Sequence, residues 1–176
     1  MNDHQLINQD SGNTEWFTPP KIIEAARKAL GGRIWLDPAS CAKANDHIQA
    51  YEYFDKEDDG LSKLWEAETV WLNHPFGRGL NESWIDKLLY EYQFRFKESC
   101  NICFAATSEK WFRPLLAYPQ CFLYGRTNYL GPDGIPVKGV TKGSVVTYLG
   151  PNTDRFVEAF SKLGCVKVAV YPYGHD

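Results

Sequence analysis

The sequence predicts an α/β fold in which a mostly parallel sheet carries helices on both faces. Short apolar runs of strand length alternate with amphipathic segments of helix length along most of the chain. This alternation is typical of strands joined by helices that cover a shared sheet. The 176 residues fit one compact domain, and 44% hydrophobic residues are enough for a packed core.

We expect residues 1–14 to form a flexible arm and residues 15–176 to form the single domain. The arm is polar and lacks the apolar core of a signal peptide, and the chain has no apolar run of membrane-spanning length. Five cysteines include one isolated Cys-x-x-Cys, at Cys100 and Cys103, without further ligands for zinc. We therefore expect buried thiols in a reducing cytoplasm and no metal site.

Charge is distributed unevenly along the chain. Residues 1–76 hold 7 Lys/Arg against 13 Asp/Glu, a net charge of −6, whereas residues 77–176 hold 12 against 9, a net charge of +3. The acidic half could suit a cofactor and the basic half a polyanion, although ordinary surface variation explains the difference equally well.

The first helix is predicted over residues 21–30. Thr18 is expected as its N-cap, a proline at 19 or 20 fills its first turn, and Gly31 ends it. A capped helix start with a free hydroxyl could receive a carboxylate, or it could simply be a well-formed helix end.

The first strand is predicted at residues 33–36, and the acidic Asp37 comes directly after it. Asp37 leads into a turn of small residues, and open α/β sheets bind ligands at this position, the carboxyl end of a strand. Residues 43–69 leave room for one short βα unit or for two strands without proper helices. Their acidic cluster suits a solvated loop, but Asp58 or Asp59 could instead accept hydrogen bonds from a ligand's amine or hydroxyls.

The central motif is Asn73-His74-Pro75-Phe76, directly after a predicted strand at residues 70–72. It combines a side-chain amide, carbonyls held by proline and an aromatic ring. That combination suits a flat group bearing an amine, such as a nucleobase.

The second half continues the alternation. We expect Asn81 to cap a helix over 82–96 and Ser108 to cap a short helix over 109–116. Further strands are predicted at residues 102–107, 120–124, 144–149 and 166–171, with a helix at 154–163.

A glycine-rich basic loop is predicted at residues 125–143. Loops of this length are functional or mobile. Its cations suit phosphate contacts, and two further side chains suit base contacts or stacking. These predicted DNA contacts, together with the cation that follows the central motif, are Arg78, Arg126, Asn128, Tyr129, Lys138 and Lys142.

Four motifs then occur in one order and carry a resemblance. They are Trp-Phe-Thr-Pro-Pro at 16–20, Leu-Asp-Pro-Ala-Ser at 36–40, Asp-Asp-Gly-Leu at 58–61 followed by Trp65, and Trp-Leu-Asn-His-Pro-Phe-Gly at 71–77. From about residue 16 to 168 the chain resembles the phage-type DNA N6-adenine methyltransferases. The resemblance implies a Rossmann-like fold that uses S-adenosylmethionine, a DNA substrate, and a location in the bacterial host cytoplasm if the chain is phage-encoded.

The resemblance also implies site residues. Asn73 and the His74 carbonyl would accept the two hydrogens of the adenine amine, Pro75 would stiffen the turn, and Phe76 would stack on the flipped base. The implied cofactor-binding residues are Trp16, Thr18, Pro19, Asp37, Pro38, Ala39 and Asp59.

The chain departs from the family pattern at His74, where the first proline of the catalytic motif is usual. Histidine keeps the carbonyl, but the turn loses a φ restraint and gains an N–H that needs a partner. Two alternatives therefore stand beside the DNA methyltransferase: a non-catalytic DNA-binding or decoy protein on this fold, and a methyltransferase acting on RNA or a protein glutamine.

Overall fold

The computed structural model describes residues 16–77, 79–131, 133–137 and 142–170. The predicted arm at residues 1–14 and the predicted DNA contacts Arg78 and Lys138 lie outside these ranges.

Helices and strands alternate along most of the described chain, as predicted, but at two places one strand follows another with no helix between them among the described residues. In order they are α1 (Pro20–Ala29), β1 (Leu36–Asp37), α2 (Ala42–Ile48), β2 (Glu52–Tyr53), β3 (Thr69–Leu72), α3 (Leu80–Phe94), β4 (Glu98–Phe104), a 3-10 helix (Lys110–Ala117), β5 (Gln120–Leu123), β6 (Ser144–Leu149), α4 (Thr153–Phe160) and β7 (Gly164–Lys167).

The described strands form one seven-stranded sheet in the order β2-β1-β3-β4-β6-β5-β7. The pairs β2–β1, β1–β3 and β3–β4 are parallel, whereas β4–β6, β6–β5 and β5–β7 are antiparallel. Five strands thus share one direction, and β6 and β7 run against them. The predicted mostly parallel sheet holds for the first four strands only, because apolar periodicity marks a strand without revealing its direction.

The prediction of helices on both faces is confirmed. On one face Trp71 and Val146 lie in a core cluster with Ile23 of α1 and Phe156 of α4. On the other face a second cluster brings together residues of β3, α3 and the 3-10 helix, namely Val70, Leu72, Ile85, Leu88, Phe112 and Leu115. Successive residues of β3 alternate between the clusters, as the two-residue period of a strand requires.

The five cysteines are free. Cys100, Cys103 and Cys121 are buried, as predicted, whereas Cys41 and Cys165 are only half-buried. Cys100 lies in the first core cluster and Cys103 in the second, so the two thiols occupy opposite faces of the sheet. The Cys-x-x-Cys motif therefore belongs to the core.

A polar cluster joins α1, β4, β6 and α4 at the start of β4. The carboxylate of Glu98 accepts hydrogen bonds from the Tyr148 hydroxyl at 2.6 Å, the Asn152 amide at 2.9 Å and the Arg155 guanidinium. Arg155 also donates to the Ala29 carbonyl at 2.6 Å. Burial alone would raise the pKa of Glu98, but these hydrogen bonds and the Arg155 charge hold it below its ordinary value.

The three predicted helix caps are wrong. Pro19 is the N-cap of α1, with Pro20 in the first helical position, so Thr18 lies outside the helix. Gly79, at φ 82°, precedes α3, which places Asn81 inside the helix. The 3-10 helix follows Glu109 rather than Ser108. At all three ends the backbone forms the helix start without a side-chain cap.

Several element boundaries also differ from the prediction. The first strand is shifted to Leu36–Asp37, and β4 begins at Glu98, four residues before the predicted start. The early residues of β4 include the polar Ser99 and Asn101, which are buried because β3 and β6 flank them on both sides. In the described part of the chain the last strand is β7 (Gly164–Lys167), which begins two residues before the strand predicted at 166–171 and ends at Lys167.

No helix in the described part of the chain is long and apolar enough to cross a membrane.

Candidate active site

A cleft of about 330 Å³ opens where the chain connections diverge from the sheet. In the sheet, β2 lies on the outer side of β1 and β4 on the outer side of β3, so the chain leaves the adjacent strands β1 and β3 in opposite directions. Such a switch point leaves a crevice in which α/β proteins bind ligands. The cleft walls come from the loops after β1 and β3, residues 16–18 and the loop at residues 55–61.

Asp37 is a buried carboxyl group at the base of this cleft. It is 1% exposed, and its Oδ1 accepts the Ala39 backbone N–H at 3.2 Å. Its Oδ2 is buried and has no hydrogen-bond partner among the described residues. Desolvation by burial raises the pKa of Asp37 to about 7, against the lowering effects of the Ala39 backbone N–H and of the neighbouring Ser40 hydroxyl. The site therefore suits a cationic or hydrogen-bond-donating ligand group.

The acidic loop is fixed against the Asp-Pro turn by a close backbone approach. A Cβ on Gly60 would lie 1.9 Å from the Pro38 carbonyl oxygen, so only glycine fits there. The Trp65 indole donates to the Gly60 carbonyl at 2.8 Å and secures the loop. Glu91 of α3 in turn accepts the Trp65 backbone N–H at 3.2 Å.

Between the two acidic candidates of this loop, Asp59 lines the cleft. Asp59 is exposed and has φ 55°. Asp58 instead accepts the Asp55 backbone N–H at 3.1 Å and lies 3.8 Å from the Lys63 ammonium. The structure therefore brings Asp59, Asp37, Pro38 and Ala39 to one cleft.

Asn73 follows β3 and has a fixed side chain. Its Nδ2 donates to the Trp16 carbonyl oxygen at 2.7 Å. Because a carbonyl only accepts hydrogen bonds, the amide nitrogen must face Trp16. Its Oδ1 is buried and has no partner among the described residues. The Asn73 oxygen is consequently held as a free acceptor in a residue that lines the cleft.

His74 is 1% exposed and joins the turn to α3. Its Nδ1 lies 3.1 Å from the Pro75 carbonyl oxygen, so this nitrogen carries the proton. Its ring stacks on Trp84 with a centroid distance of 6.4 Å and an interplanar angle of 9°. Desolvation by burial lowers the pKa of His74 to about 4, so the imidazole is neutral near pH 7.

Phe76, unlike Asn73, His74 and Pro75, does not line the cleft and lies in an aromatic cluster. Its ring centroid is 4.6 Å from that of Phe104 and 5.7 Å from that of Tyr129. Tyr129 is 2% exposed, and its hydroxyl lies 3.0 Å from the Ser144 hydroxyl oxygen. This burial contradicts the surface stacking role predicted for Tyr129: the residue supports Phe76 from the core.

A short ladder connects the glycine-rich loop to the cleft. The backbones of Phe17 and Leu130 exchange two hydrogen bonds of 2.8 Å. Trp16, whose carbonyl holds Asn73, precedes this ladder, and Thr18 follows it. The Thr18 hydroxyl is buried without a partner among the described residues, and Trp16 and Thr18 line the cleft.

The remaining predicted contacts lie elsewhere. Pro19, Arg126 and Asn128 line a second groove rather than the cleft. Lys142 is exposed, and its ammonium lies 5.7 Å from the centroid of the Phe104 ring. In the part of the chain that the structure describes, no group of three or more His, Cys, Asp or Glu could hold a metal ion.

Sequence reasoning missed several cleft residues. Trp84 follows the apolar period of α3 and therefore resembles any core residue of a helix. Cys41 caps α2 by accepting the Ala44 N–H at 3.4 Å, which no cap preference predicts. The further missed residues of the cleft are Phe17, Ser40, Ala44, Ile48, Asp55, Lys56, Gly60, Leu61 and Leu80. Phe17, Ser40 and Gly60 adjoin predicted site residues along the chain, whereas packing between segments brings the others to the cleft.

Comparison with known proteins gives a family-level match. Residues 7–152 match the family model described as DNA N-6-adenine-methyltransferase (Dam). A search of curated proteins finds no match. The family match covers well over half of the 176 residues and contains the whole cleft described above. The chain belongs to the Dam family of DNA N6-adenine methyltransferases.

Proposed function

We propose that this chain transfers the methyl group of S-adenosylmethionine to adenine N6 at specific sites in double-stranded DNA. The proposal rests mainly on the orientation of the Asn73 side-chain amide. Its amide nitrogen is engaged by the Trp16 carbonyl, and its oxygen is a buried acceptor without a partner among the described residues. The same cleft holds the unpartnered carboxyl oxygen of Asp37.

The residues of the cleft fit the cofactor. The Asp37 carboxylate would pair with the ammonium of the methionine part, because a buried carboxylate oxygen without a partner is costly until a donor reaches it. Thr18 and the Trp16 backbone border that part. Asp59 would accept from the adenosine hydroxyls or amine, and Pro38 and Ala39 permit close approach. When bound, S-adenosylmethionine supplies a methyl group on a positively charged sulfur.

The adenine amine needs positioning rather than a strong base. Its lone pair is delocalised into the ring, so it is a weak nucleophile. The Asn73 oxygen would accept one amine hydrogen and the His74 carbonyl the other, which favours a tetrahedral nitrogen with its lone pair directed at the methyl group. The target base must leave the duplex for this geometry. Phe76 is half-buried, so Phe104 and Tyr129 would hold its ring while its accessible part contacts the base.

His74 supports a catalytic protein over a decoy. The imidazole is neutral, donates to the Pro75 carbonyl and stacks on Trp84. These contacts restrain the turn and replace part of the rigidity that a proline would supply. The histidine carbonyl needed for catalysis remains part of the backbone.

The test is methyl transfer to DNA. Purified protein is incubated with labelled S-adenosylmethionine and unmethylated duplex DNA, and the nucleosides are analysed for N6-methyladenine. RNA and a protein extract serve as competing substrates. Transfer to RNA or protein alone would contradict the DNA assignment, and no transfer despite cofactor binding would favour a decoy.

Asn73→Ala tests the mechanism. We expect the rate of transfer to fall by about 100-fold or more, which is the scale for removing one catalytic hydrogen-bonding group. Gln93→Ala is the matched control, because Gln93 is an exposed amide on α3. Near-normal turnover of a folded Asn73→Ala variant would remove Asn73 from the mechanism.

A further inference from the structure

A second groove, of about 250 Å³, lies beside the active-site cleft. The two cavities share the segment at residues 16–19 as a wall. Residues 16–18 line the cleft, whereas Pro19 and the following Lys21 and Ile22 of α1 line the groove. Leu130, whose backbone pairs with Phe17, lines the groove from the other side.

The groove has an apolar floor and a basic rim. Its floor comes from apolar side chains of α1, β5 and the neighbouring loops, which are Ile22, Leu123, Leu130 and Leu163. Lys21 and Arg126 line it as cations, and both residues are exposed. Among the described residues that line this groove there is no Asp or Glu.

The charge of the groove contrasts with that of the cleft and of the chain. The cleft is lined by Asp37, Asp55 and Asp59 against one cation, Lys56. The chain as a whole has a net charge of −3. A lining of two cations without carboxylates is therefore a local feature, and it is complementary to an anionic ligand.

Two further side chains suit a nucleotide rather than a simple anion. Tyr124 lines the groove and is 71% exposed, so a face of its ring is available for stacking. Asn128 is exposed and presents both a donor and an acceptor. Cations with an aromatic platform are the usual means of holding a nucleic acid strand.

We propose that this groove binds the DNA strand next to the active site. Lys21 and Arg126 contact backbone phosphates, Tyr124 stacks on a base or sugar, and Asn128 contacts a polar edge. This inference rests on the proposed function, because the cleft on the other side of residues 16–19 would hold the target adenine. It assigns Lys21 and Tyr124, which no sequence motif marks, to the DNA surface.

The experiment measures DNA binding without turnover. The full chain is saturated with S-adenosylhomocysteine, and its affinity for a fluorescein-labelled DNA duplex is measured by fluorescence anisotropy between 50 and 200 mM salt. For Lys21→Ala and Arg126→Ala we expect Kd to rise about threefold to tenfold. Each should also reduce the slope of log K against log salt by about 1, as for one lost phosphate contact.

Tyr124 separates stacking from charge. Tyr124→Ala should raise Kd about fivefold or more with an unchanged salt slope, whereas Tyr124→Phe should bind like the unmodified protein. Affinity for S-adenosylhomocysteine should stay unchanged in every variant, because none of these residues lines the cleft.

Lys28→Ala is the matched control, because Lys28 is an exposed cation at the opposite end of α1. If the Lys21 and Arg126 variants change DNA affinity no more than this control does, the groove does not bind DNA. Stronger binding of an RNA oligomer, weakened by the same substitutions, would also overturn the DNA assignment. If the Lys21→Ala and Arg126→Ala variants methylate DNA at the normal rate, the proposed function stands and only the assignment of this groove to DNA binding is overturned.

Discussion

The raised pKa of Asp37 predicts that cofactor binding weakens as the pH falls from 7 to 5. Burial raises this pKa to about 7 from the ordinary 3.8. The ligand's ammonium would bind the carboxylate and not the protonated acid. Below pH 7 the protein must therefore release a proton from Asp37 when the ligand binds, and each pH unit makes that release more costly.

The expected change in Kd follows from the titration of Asp37. If only the carboxylate binds, Kd is multiplied by one plus the ratio of protonated to deprotonated Asp37. This factor is about 2 at pH 7 and about 100 at pH 5, so Kd should rise about 50-fold between them. An aspartate with an ordinary pKa would change Kd by less than about 10% over the same range. A ligand α-amino group, with a pKa of about 8, remains charged throughout.

Isothermal titration calorimetry with S-adenosylhomocysteine is the assay. At pH 6, titrations in two buffers of different ionisation enthalpy should show release of nearly one proton per site. Asp37→Asn should bind weakly with a flat pH profile. A wild-type Kd that is constant from pH 7 to pH 5, with circular dichroism confirming the fold at both, would refute the reasoning.

The contribution of Asp37 to the unfolding free energy of the ligand-free protein should rise as the pH falls, whereas ligand affinity should decrease. The folded-state pKa of Asp37 lies above its unfolded value, so its contribution to folding is favourable below about pH 4 and is lost as the pH rises through 7. At pH 8, Asp37→Asn should therefore raise the unfolding free energy by about 2–4 kcal/mol, measured by urea denaturation. A variant that lost both stability and affinity would indicate a structural role instead.

Two further substitutions test contacts at the cleft, and a third tests the polar cluster of Glu98 at the start of β4. Gly60→Ala would place a Cβ 1.9 Å from the Pro38 carbonyl oxygen, so we expect cofactor affinity to fall at least tenfold in calorimetry; unchanged affinity would contradict the close approach. His74→Pro removes the buried ring that stacks on Trp84 and should lower the unfolding free energy by about 2–4 kcal/mol in urea, whereas a stabilised variant would show that proline fits this turn better. Because the pKa of Glu98 is lowered in the folded state, its carboxylate stabilises the fold above its unfolded pKa, and this stabilisation is lost as the pH falls through its folded pKa. Glu98→Gln should therefore reduce Tm at pH 7, and the difference from the unmodified protein should disappear at acidic pH. An equal reduction of Tm at both pH values would show that the carboxylate charge does not stabilise the fold.

Local sequence was sufficient for the type of most elements and for the main site motifs. The apolar period of residues 82–96 predicts α3 because burying one helix face requires that spacing. Asp37 is predictable because ligands of open α/β sheets bind at the carboxyl ends of strands, and Asn73 because its amide lies in a turn suited to a nucleobase; both line the cleft. Helix caps could not be predicted in this way, because backbone conformation at Pro19 and Gly79 starts α1 and α3 without a capping side chain.

Residue types and their order along the chain thus determined the α/β class, the two buried faces of the sheet and the family. Contacts between distant segments decided the rest. The Trp16 carbonyl orients Asn73 across 57 residues, and Gly60 brings Asp59 to the cleft. Burial alone separates Asp37, with a pKa of about 7, from an ordinary surface aspartate. The physical reason is that periodicity reports which face of an element is buried, whereas hydrogen-bond partners and desolvation depend on which other elements pack there.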